Sequence, residues 1–261
     1  MANRIKQQMT DKKSVLGPFM KLPSAAVVEI AGLAGFDFVI IDCEHGPLNM
    51  LAAEDMVRAA KLCGISPVIR VSANDEGMIS RALDIGADAV QVPQISTKED
   101  AEKVVRAAKF SPMGERGVCR FVRAAEYSAM DRQVYFKKAN EDTMTIIHVE
   151  GYEGVKNIDE ILEVDGIDVI FLGPYDLSQS LGIPGQVDNP RVIALMEEVI
   201  EKAKKKNKFI GTFADTVENG KKWLNTGVQY LSYSVDVGIL MDSFKKVVSD
   251  VMSDRSKEES R

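Results

Sequence analysis

Short apolar segments alternate along most of the chain with longer segments whose apolar residues recur three and four positions apart. The short segments are rich in Val, Ile and Phe, which is typical of buried strands, and the longer ones indicate helices with one apolar face. Eight strands are predicted, over residues 15–22, 36–42, 67–71, 88–93, 144–150, 168–174, 209–213 and 230–234. Eight strands that alternate with helices predict an α/β fold, the (β/α)8 TIM barrel.

Helices are predicted between most of these strands, and one additional helix follows the last strand. Thr97 and Asp100 form a capping-box pattern at the start of one helix. The C-terminal helix carries Leu240, Phe244 and Val251 at helical spacing, so it is expected to be amphipathic. The predicted helices cover residues 25–32, 51–62, 75–85, 97–108, 133–139, 155–162, 190–203 and 238–251.

Composition limits the classes of protein to which the chain can belong. Its 261 residues, 45% of them hydrophobic, suit one barrel, so we expect a single barrel domain over 1–261 with a charged, fraying tail over roughly 253–261. The net charge of −6 lacks the basic footprint of nucleic-acid-binding proteins. No signal peptide is recognisable, and no apolar run approaches the roughly 20 residues of a membrane helix. The three cysteines show no CxxC spacing and are expected to be free thiols in the cytoplasm.

The second predicted strand ends in polar residues, at Asp42, Glu44 and His45. Two carboxylates and an imidazole after a buried apolar run are costly unless they have partners or a chemical role. In a parallel barrel they lie at the carboxyl ends of the strands, where such barrels hold their active sites. We therefore expect the active site at this end.

Three further strand ends carry polar residues that a barrel brings together: Arg70, His148 with Glu150, and Asp176. Glu150 and Asp176 suit a hard divalent cation, which prefers oxygen ligands and often takes only one or two protein carboxylates. The alternative is structural, with Glu150 in a loop ion pair and Asp176 capping the next turn. His148 lies on the same strand face as Glu150 and is open to roles as third ligand, water partner or core residue.

Arg70 and His45 each allow two interpretations. Arg70 can stabilise a substrate carboxylate or a developing enolate, or form an ion pair with Asp42 or Glu44. His45 is a candidate general acid–base that Asp84 could polarise, although a surface ion pair for Asp84 is the alternative.

The turn over residues 173–176 can present backbone N–H groups to a substrate carboxylate, or be a plain turn between strand and helix. It follows the sixth predicted strand directly and ends at the candidate ligand Asp176. It therefore adds a candidate substrate-binding element beside the candidate metal site.

Several motifs together resemble the HpcH/HpaI aldolases, metal-dependent class II pyruvate aldolases of the phosphoenolpyruvate/pyruvate superfamily. The similarity extends from about residue 17 to about residue 236, with the motifs in the family's order. The motifs are FDFVIIDCEH at 36–45, VIR at 68–70, ALDIG at 82–86, GERG at 114–117, HVE at 148–150 and IFLGPYDLS at 170–178.

The resemblance implies an enzyme that reversibly cleaves a 4-hydroxy-2-oxo acid into pyruvate and an aldehyde, with Mg2+, Mn2+ or Co2+ as cofactor. It implies that Glu150 and Asp176 hold the ion and that Arg70 stabilises the pyruvate enolate. It also implies a homo-oligomer, a hexamer built as a trimer of dimers that exchange helices.

The remaining site residues take their roles from the same resemblance. His45 serves as the acid–base with Asp84 assisting. Arg70 and residues of the turn bind the pyruvate, and Asp42 and Glu44 order metal-bound waters or position His45. The turn residues are Gly173, Pro174, Tyr175 and Asp176.

The chain departs from the family pattern at three positions: His148 stands where Gln is frequent, Cys43 where Gly is frequent and Ser72 where Pro is frequent. The segment 120–127 also differs and is expected to lie near the barrel mouth and influence the choice of aldehyde. Two alternative functions remain, a decarboxylase or lyase acting on an oxo-diacid such as oxaloacetate and a metabolite-binding barrel without catalytic activity.

Overall fold

A closed barrel of eight parallel strands forms the centre of the computed structural model, which describes residues 3–252. Each strand hydrogen-bonds to the next in sequence, and β1 pairs with β8 to close the barrel. Every predicted strand is present, which confirms the predicted (β/α)8 architecture. The strands are β1 (Val15–Met20), β2 (Phe38–Asp42), β3 (Ser66–Arg70), β4 (Ala89–Val92), β5 (Met144–Val149), β6 (Val169–Leu172), β7 (Phe209–Ala214) and β8 (Tyr230–Val235).

Twelve α-helices are found within residues 3–252, and they surround or cap the barrel. They include the additional C-terminal helix, α12, and the Thr97–Asp100 capping box opens α5 as predicted. The pattern missed α1 and α11, and it indicated only a turn where α9 lies. The helices are α1 (Arg4–Thr10), α2 (Ala25–Leu33), α3 (Met50–Leu62), α4 (Glu76–Asp84), α5 (Lys98–Ala108), α6 (Arg132–Asp142), α7 (Tyr152–Lys156), α8 (Ile158–Leu162), α9 (Pro174–Ser180), α10 (Pro190–Lys205), α11 (Val217–Asn225) and α12 (Asp236–Met252).

The barrel interior is packed with side chains and forms a floor beneath the strand carboxyl ends. Phe38 and Tyr230 stack with their ring centroids 4.2 Å apart, and Phe171 meets Tyr230 edge to face. Gly211 makes room for these rings, since a Cβ there would lie 2.8 Å from both Phe171 and Tyr230. At the other end, Ile5 of α1 is fully buried in the same cluster. The barrel is therefore a solid core that supports a site on its surface.

The long connection between α5 and β5 is anchored by an aromatic cluster and a buried lysine. Phe110 contacts Tyr135 and Phe136 edge to face. Lys109 donates hydrogen bonds to the backbone carbonyls of Asn140, at 2.9 Å, and Thr143, at 2.5 Å. Because these carbonyls lie at the C-terminal end of α6, the lysine fixes that helix against the start of β5.

No helix within residues 3–252 is long and apolar enough to cross a membrane. The expected charged tail over 253–261 lies outside the described residues.

Candidate active site

One cavity of about 410 Å³ opens at the carboxyl ends of the strands, and most of the sequence-predicted site residues line it. It brings together residues from seven strand ends or the loops directly after them, those of every strand except β4. The predicted residues among its lining are Asp42, His45, Arg70, His148, Glu150, Gly173, Pro174, Tyr175 and Asp176.

Asp42 organises the first side of the cavity from a fully buried position. Its Oδ1 accepts hydrogen bonds from the backbone N–H groups of Glu44, at 3.1 Å, and His45, at 3.2 Å. Burial by itself would raise the pKa of Asp42, but hydrogen bonds and the charge of Arg70 hold that pKa below its usual value. Asp42 is therefore an ionised group that shapes the turn carrying His45.

Arg70 forms the ion pairs with Asp42 and Glu44 that the sequence allowed. Its Nη1 lies 2.9 Å from Glu44 Oε2, and its guanidinium lies over the Phe19 ring at 4.6 Å from the centroid. The side chain is 9% exposed and still lines the cavity. Two of the five guanidinium N–H groups donate hydrogen bonds to Asp42, whereas the contact with Glu44 is an ion pair without a hydrogen bond. N–H groups of Arg70 therefore remain for a ligand.

Glu150 and Asp176 converge on one small space beside Gly173. A Cβ built on Gly173 would lie 2.9 Å from Glu150 Oε2 and 3.8 Å from Asp176 Oδ2, so glycine keeps that space open. Desolvation raises the pKa of Asp176, and the negative charge of Glu150 raises it further. Two carboxylates that repel each other across an open space provide the oxygen donors and the negative potential that a divalent cation requires.

Glu150 itself is held on both sides. Burial opposes its ionisation, but the charge and hydrogen bond of His148 and the Gln94 backbone N–H lower its pKa to about 2. The Gln94 N–H donates to Oε1 at 2.9 Å from a left-handed backbone conformation with φ 59°. Glu150 is therefore a fixed anion whose Oε2 faces the cavity.

His148 is the middle of a buried chain of polar side chains. Its Nδ1 lies 2.9 Å from Glu150 Oε2, and its Nε2 lies 2.5 Å from Gln91 Nε2. Tyr230 donates a hydrogen bond to Gln91 Oε1 at 3.2 Å. Because both ring nitrogens have protein partners, His148 supports Glu150 rather than serving as a third ligand. Within residues 3–252, no group of three or more His, Cys, Asp or Glu residues is arranged to hold a metal.

The structure separates His45 from Asp84, contrary to the expectation that the two act together. The side chain of His45 is 59% exposed at the cavity rim, with Nε2 3.9 Å from Glu44 Oε2. Asp84 is the last residue of α4, and its Oδ1 accepts a hydrogen bond from Arg116 at 2.6 Å. Helices of this barrel return the chain to the start of the next strand, so Asp84 lies at the opposite end.

One other expectation differs from the structure, because the segment 120–127 does not line the cavity within one chain. Glu44 does not line the cavity either, but it contacts Arg70 and lies 3.9 Å from His45 Nε2, where it can position His45.

The sequence did not identify six residues that line the cavity: Phe19, Lys21, Phe171, Phe213, Asp215 and Val235. Gln91 was also missed, although a Gln within the apolar strand Ala89–Val92 is a recognisable signal of a buried polar contact.

Comparisons with known proteins show to which proteins the chain is similar. A model of the HpcH/HpaI aldolase/citrate lyase family matches residues 15–243. The chain is 33% identical to a hydroxypyruvate/pyruvate aldolase of Roseobacter denitrificans over 250 residues, covering 95% of this chain and 96% of the relative. It is 32% identical to a 2-keto-3-deoxy-L-rhamnonate aldolase of Salmonella gallinarum, covering 98% of both chains.

A solved structure is similar over nearly the whole chain. The crystal structure of an HpcH/HpaI aldolase/citrate lyase family protein from Burkholderia cenocepacia superposes with a TM-score of 0.91 at 32% identity. The match covers 96% of this chain and 99% of that chain.

Proposed function

The chain belongs to the HpcH/HpaI aldolase/citrate lyase family and is a carbon–carbon lyase of the aldolase type, and we propose that it cleaves a 4-hydroxy-2-oxo acid into pyruvate and an aldehyde with a divalent cation. The observation that carries this proposal is the convergence of Glu150 and Asp176 beside Gly173, in one cavity with Arg70 and His45. Mg2+, Mn2+ and Co2+ all suit two carboxylates completed by water and substrate oxygens.

Glu150 and Asp176 hold the cation in this proposal. When bound there, the cation supplies Lewis acidity to the 2-oxo group of the substrate. Gly173 is the N-cap of α9, which begins at Pro174, and in this proposal backbone N–H groups of this turn bind the substrate carboxylate. The protein therefore fixes the oxo acid before any bond breaks.

His45 and Arg70 carry the proton and charge movements. His45 Nε2 takes the proton of the 4-hydroxyl group, the C3–C4 bond breaks, and its electron pair moves toward the C2 oxygen. The free N–H groups of Arg70 stabilise the negative charge that develops on the enolate. The aldehyde is released as the C3–C4 bond breaks, and return of the proton from His45 to C3 of the enolate then gives pyruvate.

A role for Asp84 requires a second subunit. Since Asp84 lies at the opposite end of its own barrel, an Asp84 side chain can reach a His45 ring only across a subunit contact. The proposal therefore includes a homo-oligomer, the hexamer of three dimers. The three cysteines are free, which supports a reducing compartment such as the cytoplasm.

The reaction is tested by incubating the purified protein with 4-hydroxy-2-oxo acids and coupling pyruvate release to lactate dehydrogenase. Turnover should be lost on chelation and restored by Mn2+. Turnover that a chelator leaves intact would contradict the metal role. Release of CO2 from oxaloacetate without any aldehyde product would instead favour a decarboxylase.

The metal site has its own test in a matched pair of glycine substitutions. Gly173→Ala puts a methyl group against Glu150 and should weaken Mn2+ binding, measured directly without substrate. Gly151 follows Glu150, and a Cβ there meets nothing within 4 Å, so Gly151→Ala should bind Mn2+ as the wild type does. Equal Mn2+ affinity in both variants would remove the space beside Gly173 from the metal site.

A further inference from the structure

The cavity has a buried floor and an exposed rim with different chemistry. Arg70, His148 and Glu150 belong to the floor and are buried. Tyr175 and Asp215 form an exposed part of the rim. In the proposed reaction the oxo acid occupies the floor, so the aldehyde portion, which departs toward solvent, passes the rim. Charges on the rim therefore act on the aldehyde.

Tyr175 and Asp215 form one unit on this rim. The Tyr175 hydroxyl donates a hydrogen bond to Asp215 Oδ2 at 2.5 Å, and the Tyr175 ring packs edge to face on Phe213, with centroids 6.0 Å apart. The Tyr175 hydroxyl is an uncharged hydrogen-bond donor, so the negative charge of the unit lies on the Asp215 carboxylate. Asp188 adds a second carboxylate to the small adjoining cavity that both residues line.

Lys21 also carries a charge at the rim, but it does not neutralise the negative charge of Asp215. Lys21 Nζ lies 3.9 Å from Asp42 Oδ2, so its charge is directed at the first side of the cavity. A divalent cation on Glu150 and Asp176 would balance those two carboxylates, and the substrate's own carboxylate adds a negative charge. Asp215, whose hydrogen-bond partner is neutral, remains an anion exposed to the aldehyde portion.

We propose that Asp215, held by Tyr175, selects the aldehyde by charge, so that uncharged aldehydes are accepted and aldehydes bearing a carboxylate are excluded. The inference rests on the proposed aldolase function and adds the substrate class to it. The carboxylate of Asp215 and that of a charged aldehyde repel each other at a partly desolvated rim. The unfavourable contact therefore selects against the charged aldehyde. A hydroxyl group of an uncharged aldehyde, in contrast, donates a charge-assisted hydrogen bond to Asp215. The ring of Phe213 packs against the carbon atoms of the aldehyde.

The test measures condensation of pyruvate with aldehydes matched in size, in the presence of Mn2+. Glycolaldehyde is compared with glyoxylate, and butanal with succinic semialdehyde. The wild type should favour the uncharged member of each pair by about tenfold or more in kcat/KM, since 1.4 kcal/mol of repulsion corresponds to tenfold. Added salt should raise the relative rate of the charged aldehyde, because it screens exposed charges.

Two substitutions separate the charge from the hydrogen bond. Asp215→Asn keeps an oxygen that accepts from Tyr175 but removes the charge, so the preference and its salt dependence should be lost. Tyr175→Phe removes the hydrogen bond and keeps the charge, so the preference for uncharged aldehydes should persist.

Two results would overturn the inference alone: equal use of both classes by the wild type, or an unchanged preference in Asp215→Asn. Failure to condense pyruvate with any aldehyde would overturn the proposed function, and this inference with it.

Discussion

Asp42 and Arg70 are register partners at the carboxyl ends of β2 and β3, and they bind each other through two parallel hydrogen bonds. Arg70 Nε donates to Asp42 Oδ1 at 2.9 Å, and Arg70 Nη2 donates to Asp42 Oδ2 at 2.7 Å. This geometry fixes the plane of the guanidinium before the substrate binds. Arg70 therefore needs little reorganisation free energy to stabilise the negative charge that develops on the enolate. The same pair couples the chemistry of the site to the stability of the fold.

Replacing Arg70 should therefore affect both properties. Arg70→Met should lower kcat by about 10²–10³, because a donor to the developing charge is lost. It should also lower the free energy of unfolding by roughly 3–5 kcal/mol, because Asp42 would remain buried without its partner. Steady-state kinetics and urea unfolding measure the two effects.

A double variant separates the two effects of Arg70. Asp42→Asn combined with Arg70→Met removes the unpaired charge and leaves an oxygen for the Glu44 and His45 N–H groups. Its unfolding free energy should recover much of the loss while its activity stays low. Full activity of Arg70→Met would show that Arg70 takes no part in catalysis.

The sequence predicted the barrel because the strand and helix periodicities are strong and alternate regularly. It left α1 unrecognised, since a seven-residue helix shows too little of its apolar face to stand out. Site residues such as Arg70 and Glu150 were predicted because each is a polar residue at the end of a recognisable apolar strand. Lys21 and Asp215 directly follow β1 and β7 in the same way, but the predicted bounds of 15–22 and 209–213 did not mark them as strand ends. Asp84 was predicted from the family resemblance to assist His45 in the proton transfer. It ends a helix, however, and the barrel topology places the ends of these helices at the opposite end of the barrel from the site.

The buried chain from Tyr230 to Glu150 should support metal binding. His148→Leu removes both contacts of the imidazole and should weaken Mn2+ affinity by about 10–100-fold, the usual effect of losing a partner behind a ligand. His148→Gln retains a donor for Glu150 and should lose less. Mn2+ titration by electron paramagnetic resonance, without substrate, measures both. Unchanged affinity in His148→Leu would show that Glu150 needs no support from His148.

Lys109 should give the protein a measurable pH dependence of stability. Burial lowers the pKa of Lys109 from 10.5 to about 8. Between these values the unfolded state binds more protons than the folded state, so this residue's contribution to the free energy of unfolding rises with pH. Below pH 8 the folded state carries the full cost of a buried charge.

Comparison with Lys109→Met isolates this contribution from that of other groups that titrate at high pH. The free energy of unfolding of the wild type, relative to Lys109→Met, should rise by up to about 3 kcal/mol from pH 8 to pH 10.5, since one pKa unit corresponds to about 1.4 kcal/mol. Urea unfolding at intervals of half a pH unit provides the measurement. A difference that stays constant or falls with pH would contradict an effect of burial on Lys109.

The helix α12 presents an apolar surface that should determine assembly. Asp236, at its first turn, accepts hydrogen bonds from the backbone N–H groups of Lys21 and Leu22, which ties the start of the helix to the barrel. Beyond it, Phe244 is 64% exposed and Val248 63% exposed. Exposed apolar residues on one helix are typical of a subunit contact. Phe244→Glu should reduce the proposed hexamer to smaller species in light scattering after size-exclusion chromatography.

Lys245→Glu is the matched control, because it places the same acidic side chain on the neighbouring position of α12 without removing apolar surface. It should keep the mass of the wild type. If Asp84 acts on His45 across a subunit contact, Phe244→Glu should also lose turnover while its Mn2+ affinity persists, since Glu150 and Asp176 belong to one chain. A wild-type protein that is already monomeric, or a Phe244→Glu variant of unchanged mass, would remove α12 from the assembly. Full turnover of a monomeric Phe244→Glu variant would instead remove Asp84 from the proton transfer.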